Sequence, residues 1–104
     1  MSWIKIQSEY NELDKYKNDY KTIVYYKKNT SLVHNPYGPA IIYLDGSEIY
    51  CIDGKLHRLD GPAKISKGGQ EEYYINGENI NKKEFEYHPK RLKFLGKEHL
   101  ACLK

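Results

Sequence analysis

The feature that most constrains the fold of this 104-residue chain is an internal repeat with a period of 23 residues. The segment 34–54, HNPYGPAIIYLDGSEIYCIDG, aligns with the segment 57–77, HRLDGPAKISKGGQEEYYING. A fixed period of this length is typical of arrays in which each repeat is one small unit that packs against its neighbours. The shared positions include the pairs His34 and His57, Gly38 and Gly61, Pro39 and Pro62, and Gly54 and Gly77.

Each unit is predicted to form a β-hairpin. Asp45-Gly46 lies between two β-prone runs, which predicts a type I′ turn because both central residues of that turn need a positive φ. The segment 67–70 is predicted to turn in the same way, with its two glycines supplying the positive φ. Asp53-Gly54 and Asn76-Gly77 are predicted to end the second strand of each unit.

The flanking segments extend this plan. The segment 21–33 continues the pattern as one more strand, which is expected to leave an open edge at 21–28 that could pair with a second copy or with a target strand. The segment 8–20 fits either a short helix or a hairpin turning at Asn18-Asp19, and helix or irregular coil is favoured.

At the other end, Asn81 and Glu84 form a capping box that predicts a helix to about residue 88. Leucines in 90–104 predict a second amphipathic helix, interrupted at Gly96. The predicted fold is therefore mostly β: an antiparallel β-meander of five or six strands, made of hairpin repeats of about 23 residues with a C-terminal α-helical cap.

Length predicts a single domain over residues 1–104. Its parts are the N-terminal segment 1–20, the β-hairpin repeats 21–80 and the helical cap 81–104. No stretch approaches the roughly 20 apolar residues of a membrane span, and the N-terminus lacks an apolar leader, so no membrane association and a cytoplasmic location are expected. Cys51 and Cys102 have no metal-ligand or redox spacing and are interpreted as reduced thiols.

The segment His57-Arg58-Leu59-Asp60 carries side chains common in active sites, but the repeat favours a structural role. His34 occupies the same repeat position as His57, whereas an active site occurs once. Each imidazole is expected to bond a backbone group of a neighbouring turn, and Asp60 to pair with Arg58 or to form an Asx turn. No nucleophile motif, phosphate-binding glycine loop or metal-ligand spacing is present. We therefore expect no enzyme, no metal site and no cofactor.

The segment HRLDGPA at 57–63, followed by Tyr73-Tyr74 and Asn76-Gly77, resembles the MORN-like β-hairpin repeats. It is similar to the HRxDGPA variant of giant viruses and phages, which is related to the YwqK-type repeats of bacteria. The unit at 34–40 departs from the pattern, since it lacks the Arg and the Asp. The resemblance implies a hairpin array and a small viral or phage-type protein in the host cytoplasm, where it would bind and inhibit or recruit a host protein, for example of a defence system.

Two surfaces are candidates for partner binding. The eleven tyrosines could form an exposed row for a protein partner or could serve ordinary sheet packing, and both alternatives stay open. The basic C-terminal segment could bind nucleic acid or could be the solvated face of a capping helix, and the net charge of +3 does not itself imply a nucleic-acid partner. The residues predicted to contact a partner are Tyr43, Tyr50, Tyr73, Arg58, Asp60, Lys90, Arg91 and Lys93.

Overall fold

The computed structural model of the protein describes residues 2–96, and the fold is mostly antiparallel β. Eight strands form one open sheet in the order β1-β2-β3-β4-β5-β8-β9-β10, and β6 pairs with β7 in a separate ribbon. The predicted antiparallel meander with C-terminal helix is confirmed, although several strands are only two residues long and more numerous than the five or six expected. The strands are β1 (Trp3–Ile6), β2 (Leu13–Asn18), β3 (Ile23–Lys27), β4 (Ile41–Ile42), β5 (Glu48–Ile49), β6 (Cys51–Ile52), β7 (Lys55–Leu56), β8 (Lys64–Ile65), β9 (Glu71–Ile75) and β10 (Glu78–Ile80).

The turns differ in type from the prediction. At Asp45-Gly46 only the glycine has a positive φ, of 95°, so a type I′ turn was wrong there. Tyr43 N donates to Ser47 O and Gly46 N donates to Tyr43 O, which is the three-residue loop with a glycine bulge. Ser66 and Gly69 make the equivalent bonds in the next hairpin.

The type I′ geometry occurs instead at the two pairs predicted only to end strands. Asp53-Gly54 has φ values of 49° and 81° and joins β6 to β7. Asn76-Gly77 has φ values of 52° and 83° and joins β9 to β10. Each pair therefore forms the tip of a tight two-residue hairpin, because both of its residues have the left-handed backbone conformation that a type I′ turn needs.

The N-terminal segment is a hairpin, so the favoured helix or coil over 8–20 was wrong. The Asn18 side-chain oxygen accepts from the backbone N–H groups of Tyr20 and Thr22, both at 2.9 Å, and Lys21 has a φ of 64°. This asparagine-centred turn reverses the chain and sets β2 against β3. Because β3 also pairs with β4, the expected open edge at 21–28 is wrong as well. The edges of the eight-stranded sheet are β1 and β10.

Helices α1 (Lys82–Glu86) and α2 (Pro89–Phe94) follow the sheet. The Asn81 side chain accepts from Glu84 N, as the capping box predicts, and α1 ends two residues earlier than expected. Phe85 is 2% exposed and packs on Ile75 and Ile80, so α1 covers the end of the sheet. The predicted second helix is observed only as α2, and Leu100 and Leu103 lie outside the described residues.

The molecule is elongated because most of the sheet is a single layer. Its principal extents are 50 × 31 × 19 Å, and its radius of gyration is 15.2 Å, against about 13 Å for a compact domain of this size. A single layer leaves much of each face open to contact. Among residues 2–96, no helix has the length and the apolar character needed to cross a membrane.

Candidate functional site

The candidate site is a cleft of about 370 Å³ between two loops that lie 23 residues apart in the chain. One wall is the loop 35–38, the other is the loop 57–60, and Phe94 of α2 forms the third side. We call it the loop cleft. Tyr50 and Ile52 complete the lining of the cleft.

Arg58 is the best-anchored side chain of the loop cleft. Its guanidinium carbon lies 3.9 Å from the centre of the Tyr50 ring, which places the cation over the aromatic face. Nε donates to Asp60 Oδ1 at 2.9 Å, and Nη1 donates to the Pro62 carbonyl oxygen at 3.0 Å. Burial raises the pKa of the Tyr50 hydroxyl, and the Arg58 charge acts in the opposite direction. Three partners therefore hold the guanidinium in one place, and Asp60 pairs with it as the sequence suggested.

Gly61 is required by this arrangement. A Cβ atom at Gly61 would lie 2.9 Å from the Arg58 guanidinium carbon, closer than side chains tolerate, whereas a Cβ at Gly38 would meet nothing within 4 Å. The two glycines occupy the same repeat position, yet only the second one faces an arginine. Gly61 therefore leaves room for the guanidinium to lie flat against the loop backbone.

Asn35 takes the place of Arg58 in the first loop. Asn35 is buried, and its Nδ2 donates to the Pro39 carbonyl oxygen at 3.0 Å. Its Oδ1 accepts from Tyr37 N at 2.9 Å, which closes an Asx turn. A neutral amide thus braces the first loop, whereas a cation braces the second.

The two repeat histidines bond backbone groups. Nδ1 of His57 accepts from Asn76 N, and Nδ1 of His34 accepts from Asp53 N, both at 2.9 Å. Each bond ties a loop of the cleft region to the tip of a type I′ hairpin. Burial, followed by the nearby Lys90 charge, lowers the pKa of His57. The neutral imidazole is the form that can accept this bond.

Helix α2 brings an exposed ring and positive charge to the loop cleft. Phe94 is 61% exposed at the rim, and Lys90 lies one helical turn before it, on the same face of α2. The Lys90 charge contributes to the lowered pKa of His57, after the larger effect of burial. The rim therefore combines an apolar ring with a cation.

Of the eight residues predicted to contact a partner, Tyr50, Arg58 and Asp60 line the loop cleft, and Lys90 lies on α2, one turn before the lining residue Phe94. Tyr43 lies at the turn between β4 and β5, in a separate shallow groove. Tyr73 packs against Phe85 with ring centres 4.6 Å apart, so it belongs to the cover formed by α1. The structure therefore does not bring the three tyrosines together on one surface.

The basic cluster of α2 is also divided. The Arg91 guanidinium lies 4.9 Å from the centre of the Phe85 ring, and Nη1 donates to the Glu86 carbonyl oxygen at 3.2 Å. Arg91 is half-buried, whereas Lys90 and Lys93 are exposed. The Arg91 side chain thus joins α2 to α1 and does not extend the exposed basic face.

Sequence reasoning missed Phe94 and Tyr37 as residues of the site. Tyr37 is exposed, stacks on Tyr10 with ring centres 4.6 Å apart, and donates from its hydroxyl to Glu12. The alignment of the two repeats contained a signal for Tyr37, because it occupies the position of Asp60. No comparable signal marked Phe94, because its role depends on how α2 docks.

Within residues 2–96, no three His, Cys, Asp or Glu side chains are grouped as a metal site would need. Cys51 is buried, and this burial raises the pKa of its thiol. Comparison with protein families, with curated proteins and with solved structures found no match for this chain.

Proposed function

We propose that the protein is a non-enzymatic binding module that holds a segment of a protein partner in the loop cleft. The observation that carries the proposal is that three of the residues predicted for binding, Tyr50, Arg58 and Asp60, meet the exposed Phe94 ring at one concave site. Exposed aromatic rings beside anchored arginines are typical of residues that dominate the energy of protein interfaces.

The chemistry of the rim suggests the kind of segment that binds. Phe94 and Tyr37 offer two exposed rings among the residues that line the loop cleft, which suit an apolar or aromatic side chain. Lys90 adds positive charge on the same helix face as Phe94. We therefore propose a partner segment with an apolar anchor next to carboxylates. The preformed loops favour this mode of binding, because the anchored Arg58 loses little freedom on contact.

The wider setting follows from the resemblance to viral and phage hairpin repeats. We propose that the partner is a host protein and that the encounter takes place in the cytoplasm of the host. Inhibition of the partner, or its recruitment, would then follow from occupation of the loop cleft.

The test is affinity capture from a host lysate with matched surface variants. Phe94→Ala removes the exposed ring at the loop cleft, and Leu44→Ala removes an equally exposed apolar side chain from the hairpin tip at 43–47. We expect one protein in stoichiometric amount on the unmodified chain and on Leu44→Ala, and its loss on Phe94→Ala. Capture that is equal on both variants, or lost only on Leu44→Ala, would contradict binding at the loop cleft.

A further inference from the structure

The outer edge strand β1 has a pattern of backbone groups that suits pairing with another strand. Asn18 N donates to Thr22 O, so the backbone of Asn18 points away from β1. Trp3 is opposite Asn18, and ladder bonds alternate along an antiparallel pair. Ile4 and Ile6 therefore exchange bonds with β2, whereas the N–H and C=O groups of Trp3 and Lys5 point to the open edge of the sheet.

The side chains of β1 are unusually exposed for a strand of this composition. Ile4 is 62% exposed and Trp3 is 44% exposed. Trp3 and Lys5 lie on one face of the sheet, and Ile4 and Ile6 lie on the other. Lys5 Nζ lies 3.4 Å from Asp14 Oδ1. The positive charge of Lys5, the only charged side chain of β1, is therefore paired with a carboxylate of its own sheet. An edge strand with little net charge and exposed apolar residues is a template for pairing.

The strand is complementary to itself in one register. In an antiparallel pair that keeps both sheet faces continuous, opposite residues share a face, so the register can be centred on Trp3, Ile4, Lys5 or Ile6 opposite its own copy. Only the register centred on Ile4 pairs the outward backbone groups of Trp3 and Lys5 with each other inside β1. The register centred on Ile4 places each Trp3 opposite Lys5 of the second copy, so all four outward backbone groups of these two residues are paired. The register centred on Lys5 places two lysines opposite each other, which is unfavourable.

We propose that β1 pairs antiparallel with β1 of a second copy of this chain, with the two Ile4 residues opposite each other at a two-fold axis. The eight-stranded sheets then join into one continuous sheet. On one face the Trp3 ring of each copy lies beside the aliphatic part of the Lys5 side chain of the other, whose ammonium stays with Asp14. On the opposite face the Ile4 side chains meet in a non-hydrogen-bonded pair, in which side chains approach most closely. The short interface predicts a weak, concentration-dependent dimer.

The test combines sedimentation equilibrium with cysteine cross-linking in a Cys102→Ser background, in which buried Cys51 is kept throughout. We expect the unmodified chain to dimerise with rising concentration, and Ile4→Lys to weaken the dimer roughly tenfold or more because it places like charges opposite each other. Ile4→Cys should form a disulfide-linked dimer under mild oxidation, because opposed Cα atoms in such a pair lie about 4.5 Å apart.

Lys5→Cys and Ile6→Cys are the matched controls, because the proposed register places each of them more than about 7 Å from its own copy, beyond disulfide reach. Both should remain monomeric under the same oxidation. The proposal is overturned if the unmodified chain stays monomeric at all concentrations, if Ile4→Cys does not cross-link, or if Lys5→Cys or Ile6→Cys cross-links as fast. Any of these results would leave β1 as an unpaired edge, as a pairing site for another protein, or in a different register.

Discussion

Asn35 and Arg58 lie 23 residues apart and donate the same hydrogen bond: in each case a side-chain nitrogen lies 3.0 Å from the carbonyl oxygen of the proline four residues further on. The backbone N–H groups of the two residues also donate to equivalent carbonyls, at Cys51 and Tyr74. The loss of the arginine from the first unit therefore leaves the loop bracing intact. What Arg58 adds is its contact with Tyr50 and its charge.

Replacement of Arg58 separates the bond that braces the loop from the contact with Tyr50 and the charge. Arg58→Ala removes both the bond to Pro62 and the cover over Tyr50, and should lower the free energy of unfolding by about 1–3 kcal/mol. Arg58→Asn copies the residue of the first loop, can keep the proline bond, and should cost less than Arg58→Ala. Chemical denaturation of both variants checks the order. If the asparagine variant is less stable than the alanine variant, its new amide does not replace the bond to the Pro62 carbonyl in the way that Asn35 bonds Pro39.

Gly61 and Gly38 form a natural pair of controls. Gly61→Ala places a Cβ 2.9 Å from the Arg58 guanidinium carbon, so the guanidinium must shift from its bonds to Asp60 and Pro62, and the fold should lose about 1 kcal/mol; Gly38→Ala meets nothing within 4 Å and should be close to neutral. In an Arg58→Asn background the cost of Gly61→Ala should shrink, because the group it clashes with is gone. A double-mutant cycle by thermal or urea unfolding measures this coupling. Equal costs at both glycines would exclude the guanidinium contact as the cause.

The His57 imidazole predicts a loss of stability on acidification. Its pKa in the folded chain is lowered from the ordinary 6.5 by burial and by Lys90, so the unfolded chain takes up the proton at a higher pH than the folded chain. The contribution of His57 to the free energy of unfolding should therefore be constant above pH 6.5 and should fall as the pH falls below it. His57→Gln should remove this part of the pH dependence. A pKa for His57 at or above 6.5, measured by NMR titration, would reverse the sign and reject this prediction.

Nucleic-acid binding by the basic C-terminal segment has its own test. Because Arg91 is held against Phe85 and the Glu86 carbonyl, the exposed cations of α2 are Lys90 and Lys93. We expect no retarded complex with duplex DNA or RNA in a gel shift at about 150 mM salt. A salt-sensitive complex that disappears in Lys90→Glu/Lys93→Glu would favour the nucleic-acid alternative over a protein partner.

Much of the sheet could be predicted from local patterns. The 23-residue period located the hairpins, and the Asn81 capping box located α1. The turn types could not be read locally. Asp45-Gly46 and Asp53-Gly54 are the same dipeptide, and they differ because strand pairing fixes the loop length around each one.

The N-terminal hairpin was missed for a similar reason. Its spaced tyrosines and leucine fit a helical period, but the Asn18-centred turn and the pairing with β3 override that local preference. The candidate site was only partly predictable. The sequence marked Tyr50, Arg58 and Asp60, which lie within the two aligned segments and line the same cleft. Phe94 lies outside these segments and reaches the loop cleft only because α2 docks beside it.

The most direct test of partner binding at the loop cleft is backbone NMR mapping of the chain in complex with the protein that it captures. We expect chemical-shift changes to concentrate in the loops 35–38 and 57–60 and in α2, and we expect Phe94→Ala to abolish them. The hairpin tip at 43–47 should stay unchanged. Changes centred on that tip or on the sheet faces, with the loop cleft unaffected, would contradict the proposed binding site.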